Sequence, residues 1–287
     1  MRRPTPVVSA PGAIGRGSRL ETVPVTPDTR PFPSRQQSTR IERRKVSDAV
    51  VEFLMLELFN GNLRGGDRLD VAAIASSLGV SHAPVREALV VLERDGVLTS
   101  EYHRGVFVAP FTPESVLEGF ELYGVLSGIA ASRVAHLQDA DTIDQLNDVL
   151  RELRKASDPG DVYYLHWKFR SVVHHKGASL RVQNLLRNFG GMLQASVSLL
   201  GPEGVREGGA GLREVFQAIR TPDPIAAAES TYRTSSRTGW RVIRTLEQRG
   251  VFSGTLGGAS LKEESSERKS LIRIAVSESG PRDVDLK

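Results

Sequence analysis

A pair of short helices joined by a tight turn is the feature that most limits the folds open to this chain of 287 residues. Residues 71–78, VAAIASSL, are small and mostly apolar, which predicts a short helix, and Gly79 supplies the left-handed residue at which helices commonly end. Ser81 stands where a side chain can cap a second helix, and Pro84 falls in the first turn of that helix. The predicted buried stripe of the second helix consists of Val85, Ala88, Leu89 and Leu92. This spacing predicts a helix-turn-helix over about residues 71–90.

The segments on either side of this pair predict one more helix and a β-hairpin. Apolar residues at helical spacing predict a helix over 46–59. Residues 97–101 and 106–109 are typical of short strands, and the Tyr-His-Arg-Gly tip between them ends in Gly105 as the turn residue. Three helices followed by a hairpin predict a winged helix-turn-helix domain over residues 41–110.

A winged helix of this kind places its third helix in the major groove of DNA. The first turn of that helix carries Ser81 and His82, with Arg86 one turn further on, and these side chains can donate to guanine or phosphate. On the wing, His103 and Arg104 can enter the minor groove or contact the DNA backbone. Taken singly, Ser81 is explained as well by a helix cap and Arg86 by an exposed charge, so the prediction depends on the joint pattern.

That joint pattern resembles the amino-terminal winged helix of the GntR family of bacterial transcription regulators. The shared motifs are Gly-Asp-Arg-Leu at 66–69, Leu-Gly-Val-Ser at 78–81, Pro-Val-Arg-Glu-Ala-Leu at 84–89, Leu-Glu-Arg-Asp-Gly at 92–96 and Arg-Gly at 104–105. The resemblance implies double-stranded operator DNA as the partner. The DNA contacts that it implies are Arg68, Ser81, His82, Arg86, His103, Arg104 and Gly105. The family usually has arginine directly after the serine, and His82 stands there instead, which changes the base expected to be read at that position.

The two ends of the chain differ in composition from the part between them. Residues 1–45 carry ten Lys or Arg against three acidic residues and are rich in proline, so residues 1–40 are expected to form a disordered basic arm. Arg44 and Lys45, where order is expected to begin, are predicted to contact DNA. Residues 250–287 are rich in Ser, Gly and Glu and are expected to form a flexible tail.

From Pro113 to about Arg249 the chain has helical periodicity and no strand alternation. Helices are predicted over 113–137, 140–156, 160–176, 179–199, 205–220 and 223–249. Residues 111–249 are therefore predicted to form an all-helical domain, and the fold as a whole is predicted to be mainly α. This domain resembles the FCD type of effector domain, which implies a homodimer and a small-molecule effector.

Many FCD domains bind a divalent metal through one acidic residue and three histidines. The resemblance places His166 where the acidic residue belongs, Arg170 where the first histidine belongs, and Leu212 and Thr234 at the other two positions. His166 and His174 are eight residues apart, roughly 12 Å along a helix, which is too far for one ion. We therefore expect neither a metal nor any other cofactor.

Arg170 suggests an anion site without a metal, because a guanidinium can bind a carboxylate or phosphate bidentately. The expected effector is a small organic acid or acyl compound, with His166, Tyr163 and Arg233 as further pocket residues. One alternative is that Arg170 pairs with an acid or faces solvent. Another is that the helical domain only dimerises or contacts a partner and senses no ligand. A cavity with polar and apolar walls distinguishes a sensor from such a scaffold.

Composition excludes several other classes of protein. The chain has no cysteine, which excludes disulfides, thiol nucleophiles and Cys-ligated metals and suits a reducing cytoplasm. No nucleophile motif or phosphate-binding loop accompanies the six histidines, so an enzyme is not expected. No apolar run has the length of a membrane span, and the amino terminus lacks the apolar stretch of a secretory signal. The expected protein is a cytoplasmic, nucleoid-associated transcription regulator, and by resemblance a repressor.

Overall fold

The computed structural model describes residues 46–252 of the chain. Two compact units are present, one ending at Pro110 and the other continuing from Phe111, with the short segment Phe59–Asn62 assigned to the second. The predicted arm over 1–40 and the predicted DNA contacts Arg44 and Lys45 lie outside the described residues, as does the predicted tail over 250–287 from residue 253 onward.

The first unit is built from three helices and a small sheet. Its elements are α1 (Val46–Phe59), β1 (Arg68–Leu69), α2 (Val71–Leu78), α3 (His82–Arg94), β2 (Leu98–Glu101) and β3 (Gly105–Val108). The sheet is antiparallel in the order β1-β3-β2, with Arg68 opposite Phe107 and Leu98 opposite Val108. The sequence analysis missed β1, because two residues are too few to show alternation. The winged helix-turn-helix prediction is confirmed.

The turn between α2 and α3 depends on the residues at the helix ends. Asp70 caps α2, accepting hydrogen bonds from the amides of Ala72 at 2.8 Å and Ala73 at 3.2 Å. Gly79 ends α2 with a φ of +64°, a left-handed conformation that favours glycine. The predicted buried stripe of α3 is confirmed at Val85, Ala88, Leu89 and Leu92.

Ser81 holds the N-cap position of α3, but the prediction that its side chain caps the helix is wrong. Its hydroxyl accepts no capping hydrogen bond from any described residue. An N-cap side chain usually accepts from the amide two or three positions later, and the third position here is Pro84, which has no N–H. The exposed hydroxyl of Ser81 therefore remains available to a partner.

The second unit is all-helical, as predicted. Its elements are α4 (Pro113–Leu137), α5 (Ala140–Leu153), α6 (Pro159–Gly177), α7 (Leu180–Arg187), α8 (Gly190–Arg220) and α9 (Pro224–Gln248). None of the helices between residues 46 and 252 combines the length and the apolarity that crossing a membrane requires.

The second unit departs from the prediction between residues 179 and 220. The helix predicted over 179–199 is interrupted at Asn188 and Phe189, so that it becomes α7 and the first part of α8. The predicted break at Gly201 is a kink within α8, with a φ of +60° and a ψ of −162°. Only glycine adopts such angles readily, which explains why the helix bends there and then resumes.

Glycines allow α4 to lie very close to both α6 and α9. A Cβ atom on Gly177 of α6 would lie 2.0 Å from the carbonyl oxygen of Ala130 on α4. On the α9 side, a Cβ atom on Gly128 of α4 would lie 3.1 Å from the carbonyl oxygen of Ala228. The backbones of these helices are therefore in near-contact, which fixes the distance between the side chains on their facing surfaces.

We expect Gly177→Ala to lower the free energy of unfolding by about 1–3 kcal/mol, because the added methyl group must push α4 and α6 apart. Urea denaturation of the variant and the parent measures the difference. Gly190→Ala at the start of α8 is the control, since a Cβ placed there has no described atom within 4 Å apart from its chain neighbours and the backbone of its own helix. Equal losses in the two variants would contradict the close packing at Gly177.

Candidate DNA interface and ligand pocket

The amino-terminal end of α3 carries three exposed polar side chains. Ser81, His82 and Arg86 are all exposed, and His82 and Arg86 share a helix face because they are four residues apart. Arg86 has no hydrogen-bonding or ionic partner among residues 46–252. One turn beyond Arg86, Val90 is 64% exposed, which is unusual for an apolar residue of this size. The sequence analysis did not select Val90, although its spacing of four residues from Arg86 was a usable signal.

The wing presents an exposed aromatic pair at its tip. Tyr102 is 88% exposed, and its ring meets the ring of His103 edge-on with centroids 3.8 Å apart. His103 has a φ of +58°, a conformation that side-chain-bearing residues adopt rarely. Tyr102 was not predicted as a site residue, and its place beside His103 in the turn was the only sequence signal for it.

The other wing residues make contacts within the wing itself. Arg104 pairs with Glu101 and lies 5.8 Å above the centre of the Phe107 ring. Gly105 has a φ of +108°, and a Cβ atom placed there would lie 3.1 Å from Nε of Arg68. The strand β1 therefore brings Arg68 to the base of the wing, which joins two of the predicted DNA contacts on one surface.

The second unit contains a cavity enclosed by α4, α6, α8 and α9. Its void, including the open mouth, measures about 920 Å³, and most of its wall is apolar. His166, Arg170, Leu212 and Thr234, the four positions aligned with metal ligands in the sequence analysis, all line this cavity. Tyr163 lines it as well. Arg233 is exposed and does not line the cavity, so its prediction as a pocket residue is wrong. Successive residues on a helix point about 100° apart, and on this turn of α9 the inward position belongs to Thr234, so the neighbouring Arg233 points away from the cavity.

Arg170 brings an unpaired positive charge into the cavity. The residue is half-buried and has no acidic partner within the described part of the chain. His166 and His174 lie one turn before and one turn after it on the same face of α6. Arg170 lines the cavity, and the alternative that it pairs with an acid finds no acidic partner among residues 46–252. Its role in binding an effector stays a prediction.

Both histidines beside Arg170 are neutral at pH 7. Burial, with the Arg170 guanidinium as the second cause, lowers the pKa of His166 to about 3 and that of His174 to about 4. Nε2 of His174 lies 2.9 Å from Oγ of Ser127, whereas the buried Nε2 of His166 has no hydrogen-bond partner in the range 46–252. Burial also raises the pKa of the neighbouring Tyr123, so its phenol stays protonated. These groups present hydrogen-bonding atoms without adding charge.

The residues at this position do not fit a divalent metal. Within residues 46–252, no three His, Asp or Glu side chains are grouped so that they could hold an ion. Leu212 and Thr234 offer no imidazole, and the positive charge of Arg170 would repel a cation. We therefore assign no step to a metal.

Arg241 on α9 is a pocket residue that the sequence analysis missed. It lines the cavity and pairs with Glu207 of α8, and its buried Nε has no hydrogen-bond acceptor among the described residues. The signal that could have found it is periodicity, since the inward polar stripe of α9 runs at helical spacing. This stripe consists of Thr231, Thr234, Thr238 and Arg241.

Comparisons with known proteins agree with this division into a DNA-binding and a helical unit. Residues 46–108 match the bacterial regulatory proteins of the gntR family, and residues 118–234 match the FCD domain. An HTH-type transcriptional regulator of Mycobacterium tuberculosis is 39% identical over 143 residues, which are 50% of this chain and 59% of that protein. A probable D-xylose utilization operon transcriptional repressor of Paenarthrobacter nicotinovorans is 29% identical, over 42% of this chain and 54% of that protein. The chain thus matches little more than half the length of these relatives.

A solved structure, Escherichia coli McbR/YncC, has the same fold. The likeness covers 71% of this chain and 98% of that one, with a TM-score of 0.51 and 18% sequence identity. In this chain a winged helix, which matches one domain family, is followed by a helical unit, which matches the other. Residues 46–108 therefore form a DNA-binding domain of the gntR family type, and residues 118–234 form an FCD domain.

Proposed function

We propose that the protein is a homodimeric transcription regulator that binds operator DNA through α3 and the wing and senses a small organic acid in the helical domain. The proposal of an effector site rests on one observation, the unpaired Arg170 guanidinium in a largely apolar cavity. A transcription regulator acts on chromosomal DNA, so the proposal places the protein in the cytoplasm.

The DNA half is supported by the exposed end of α3. His82 and Arg86 point from one face, and both can donate to O6 or N7 of guanine, while Ser81 can donate to a phosphate. The exposed Val90 suits contact with a thymine methyl group. Arg68, His103, Arg104 and Gly105 lie together at the wing, where they suit the adjacent groove and its phosphates. Two such units in a dimer suit a palindromic operator.

The effector half is supported by electrostatics. A cation that is partly removed from water is stabilised when an anion replaces the lost hydration. The described residues supply no such anion to Arg170. A carboxylate meets this need and can accept two parallel hydrogen bonds from the guanidinium. A helical domain that served only for dimerisation would have no need of such a cavity, so the cavity favours the sensor over the scaffold.

The proposed mode of action is repression relieved or strengthened by the effector. One of the relatives described above is named as a probable repressor, which supports this choice. An effector changes DNA affinity only by as much as it prefers one dimer geometry over another.

We expect Arg86→Ala to weaken specific DNA binding by about 1–3 kcal/mol, because the variant loses a base-edge or phosphate contact. The operator is first selected from random duplexes with the parent protein, and affinities are then measured by fluorescence anisotropy at fixed salt. Arg151→Ala on α5 removes the same charge from an exposed helix position outside the winged helix and serves as the control. If the two variants bind the operator equally well, Arg86 does not contact it.

We expect hexanoate to raise the melting temperature of the parent protein in a saturable way and to have no such effect on Arg170→Gln. The variant keeps a polar side chain of similar length and loses the charge that would hold the carboxylate. Arg233→Gln makes the same chemical change at an exposed position outside the cavity and should respond as the parent does. Equal responses in both variants would exclude Arg170 as the anion site.

We expect zinc, nickel and manganese ions to leave the melting temperature unchanged at micromolar concentrations, because the cavity does not supply three metal ligands. Differential scanning fluorimetry after treatment with a chelator and stepwise addition of each ion is the appropriate measurement. A saturable rise of several degrees would show that residues other than those aligned here hold a metal.

A further inference from the structure

The tip of the wing presents an aromatic ring that no other part of the described chain covers. Tyr102 is 88% exposed, which makes it the most exposed of the large hydrophobic side chains among residues 46–252. Single exposed apolar residues are common on protein surfaces, so exposure alone assigns no role. How the ring is held and which charges surround it carry the argument further.

The ring stands on a turn whose backbone is tightly fixed. Tyr102 and His103 are the two central residues of this turn, which the amide of Arg104 closes by donating to the carbonyl oxygen of Glu101 at 3.0 Å. Directly behind the tip, Glu101 pairs with Gly105 across the two strands of the wing.

His103 contributes to this fixed geometry in two ways. Its φ of +58° is a conformation that a side-chain-bearing residue keeps only where its surroundings impose it. Its ring also packs edge-on against the ring of Tyr102, with the centroids 3.8 Å apart. The Tyr102 ring is therefore held in advance and loses little conformational freedom when a partner covers it.

The arginines of the wing lie around this ring without surrounding it with unbalanced charge. Arg104 pairs with Glu101, and its guanidinium lies 5.8 Å above the centre of the Phe107 ring, so this pair adds no net charge to the tip. Arg68 lies at the base of the wing, where its Nε is 3.1 Å from the place of a Cβ on Gly105. Positive charge at the base suits phosphates, and an aromatic ring at the tip suits sugars and bases.

We infer that Tyr102 is a wedge that enters the minor groove of the operator beside the bases read by α3. There its ring contacts the sugars and base edges of a flexible pyrimidine–purine step. This inference rests on the proposed binding of operator DNA and adds a residue that determines specificity through the shape of the DNA.

The chemistry of the minor groove determines what such a wedge can read. This groove is about 6 Å wide and displays nearly the same pattern for A·T and T·A, so a ring without a matched donor set cannot identify a base there. A wedge instead reads how easily two base pairs are separated, and pyrimidine–purine steps such as TA yield most readily. The expected preference is therefore for a TA step over an AA step of the same base composition.

Operator variants test this preference with the full chain. An operator is selected with the parent protein, each flanking step is replaced in turn by TA or AA, and affinities are measured by fluorescence anisotropy at fixed salt. We expect one step in each half-site at which TA binds about tenfold more tightly than AA. In Tyr102→Ser this preference should fall below about twofold.

Protein variants separate the ring from its hydroxyl and from charge. Tyr102→Ser should bind the selected operator about tenfold more weakly than the parent, whereas Tyr102→Phe, which keeps the ring, should stay within about twofold. The slope of log affinity against log salt should be the same in both variants, because neither loses a charge. Equal melting temperatures are expected because the ring is exposed, and they verify that both variants fold. Leu180→Ser removes another exposed apolar side chain, on α7, and is the control that should bind as the parent does.

The outcomes distinguish this inference from the proposed function. Unchanged affinity and step preference in Tyr102→Ser, together with weaker binding by Arg86→Ala, would overturn the wedge and leave recognition by α3 intact. Equal losses in Tyr102→Ser and Tyr102→Phe would assign the contact to the hydroxyl group and overturn the wedge. A smaller salt slope in Tyr102→Ser would overturn it as well, because the ring would then act by holding charged groups in place. If the parent protein selects no DNA sequence, the proposed function fails together with this inference.

Discussion

The close approach of α4 to α6 and α9 is the constraint on which the rest of the helical unit depends. Gly177 lies against the backbone of Ala130, and Gly239 of α9 leaves so little space that a Cβ there would lie 2.9 Å from Cβ of Phe120. Ser235 adds a hydrogen bond of 2.6 Å to the carbonyl oxygen of Phe120. The helix backbones are held at this distance. Side chains one turn apart on α6 therefore line a single cavity together with side chains of α4 and α9, and they leave the space between them open. Beyond the kink at Gly201, the glycine-rich part of α8 lies against His166 on the cavity wall.

Within that cavity the balance of charge decides the chemistry. Burial keeps His166 and His174 neutral, the phenol of Tyr123 protonated, and Arg241 neutralised by Glu207, so that Arg170 is left as the one unbalanced charge among the described residues of the wall. At the positions where the resemblance to FCD domains implied metal ligands, this chain has the guanidinium of Arg170 instead. A fixed cation of this kind requires no ion from solution, and its planar donors favour a carboxylate over a spherical anion.

The sequence predicted those parts of the structure in which local pattern and tertiary packing agree. The buried stripe of α3 follows directly from the spacing of Val85 and Leu92, and the wing follows from its turn residue Gly105. The prediction failed where a single residue prevented the interaction that the local pattern indicated, or where tertiary contacts determined the structure. Pro84 removes the amide that Ser81 would have capped, and β1 exists only because β3 pairs with it. Arg233 and Arg241 have the same chemistry in the sequence, and only the rotation of α9 turns Arg241 into the cavity and leaves Arg233 exposed.

If an anion held by Arg170 alters the affinity of the winged helix for DNA, the effector site and the DNA-binding site must be coupled. This coupling is tested by measuring the operator affinity of the full chain, at fixed salt, with and without saturating hexanoate, in the parent protein and in Arg170→Gln. We expect a change of roughly 5- to 150-fold in the parent protein, the usual range of allosteric coupling, and no change in the variant. An operator affinity that does not respond to bound acid in the parent, or that responds equally in Arg170→Gln, would show that Arg170 does not couple the two sites.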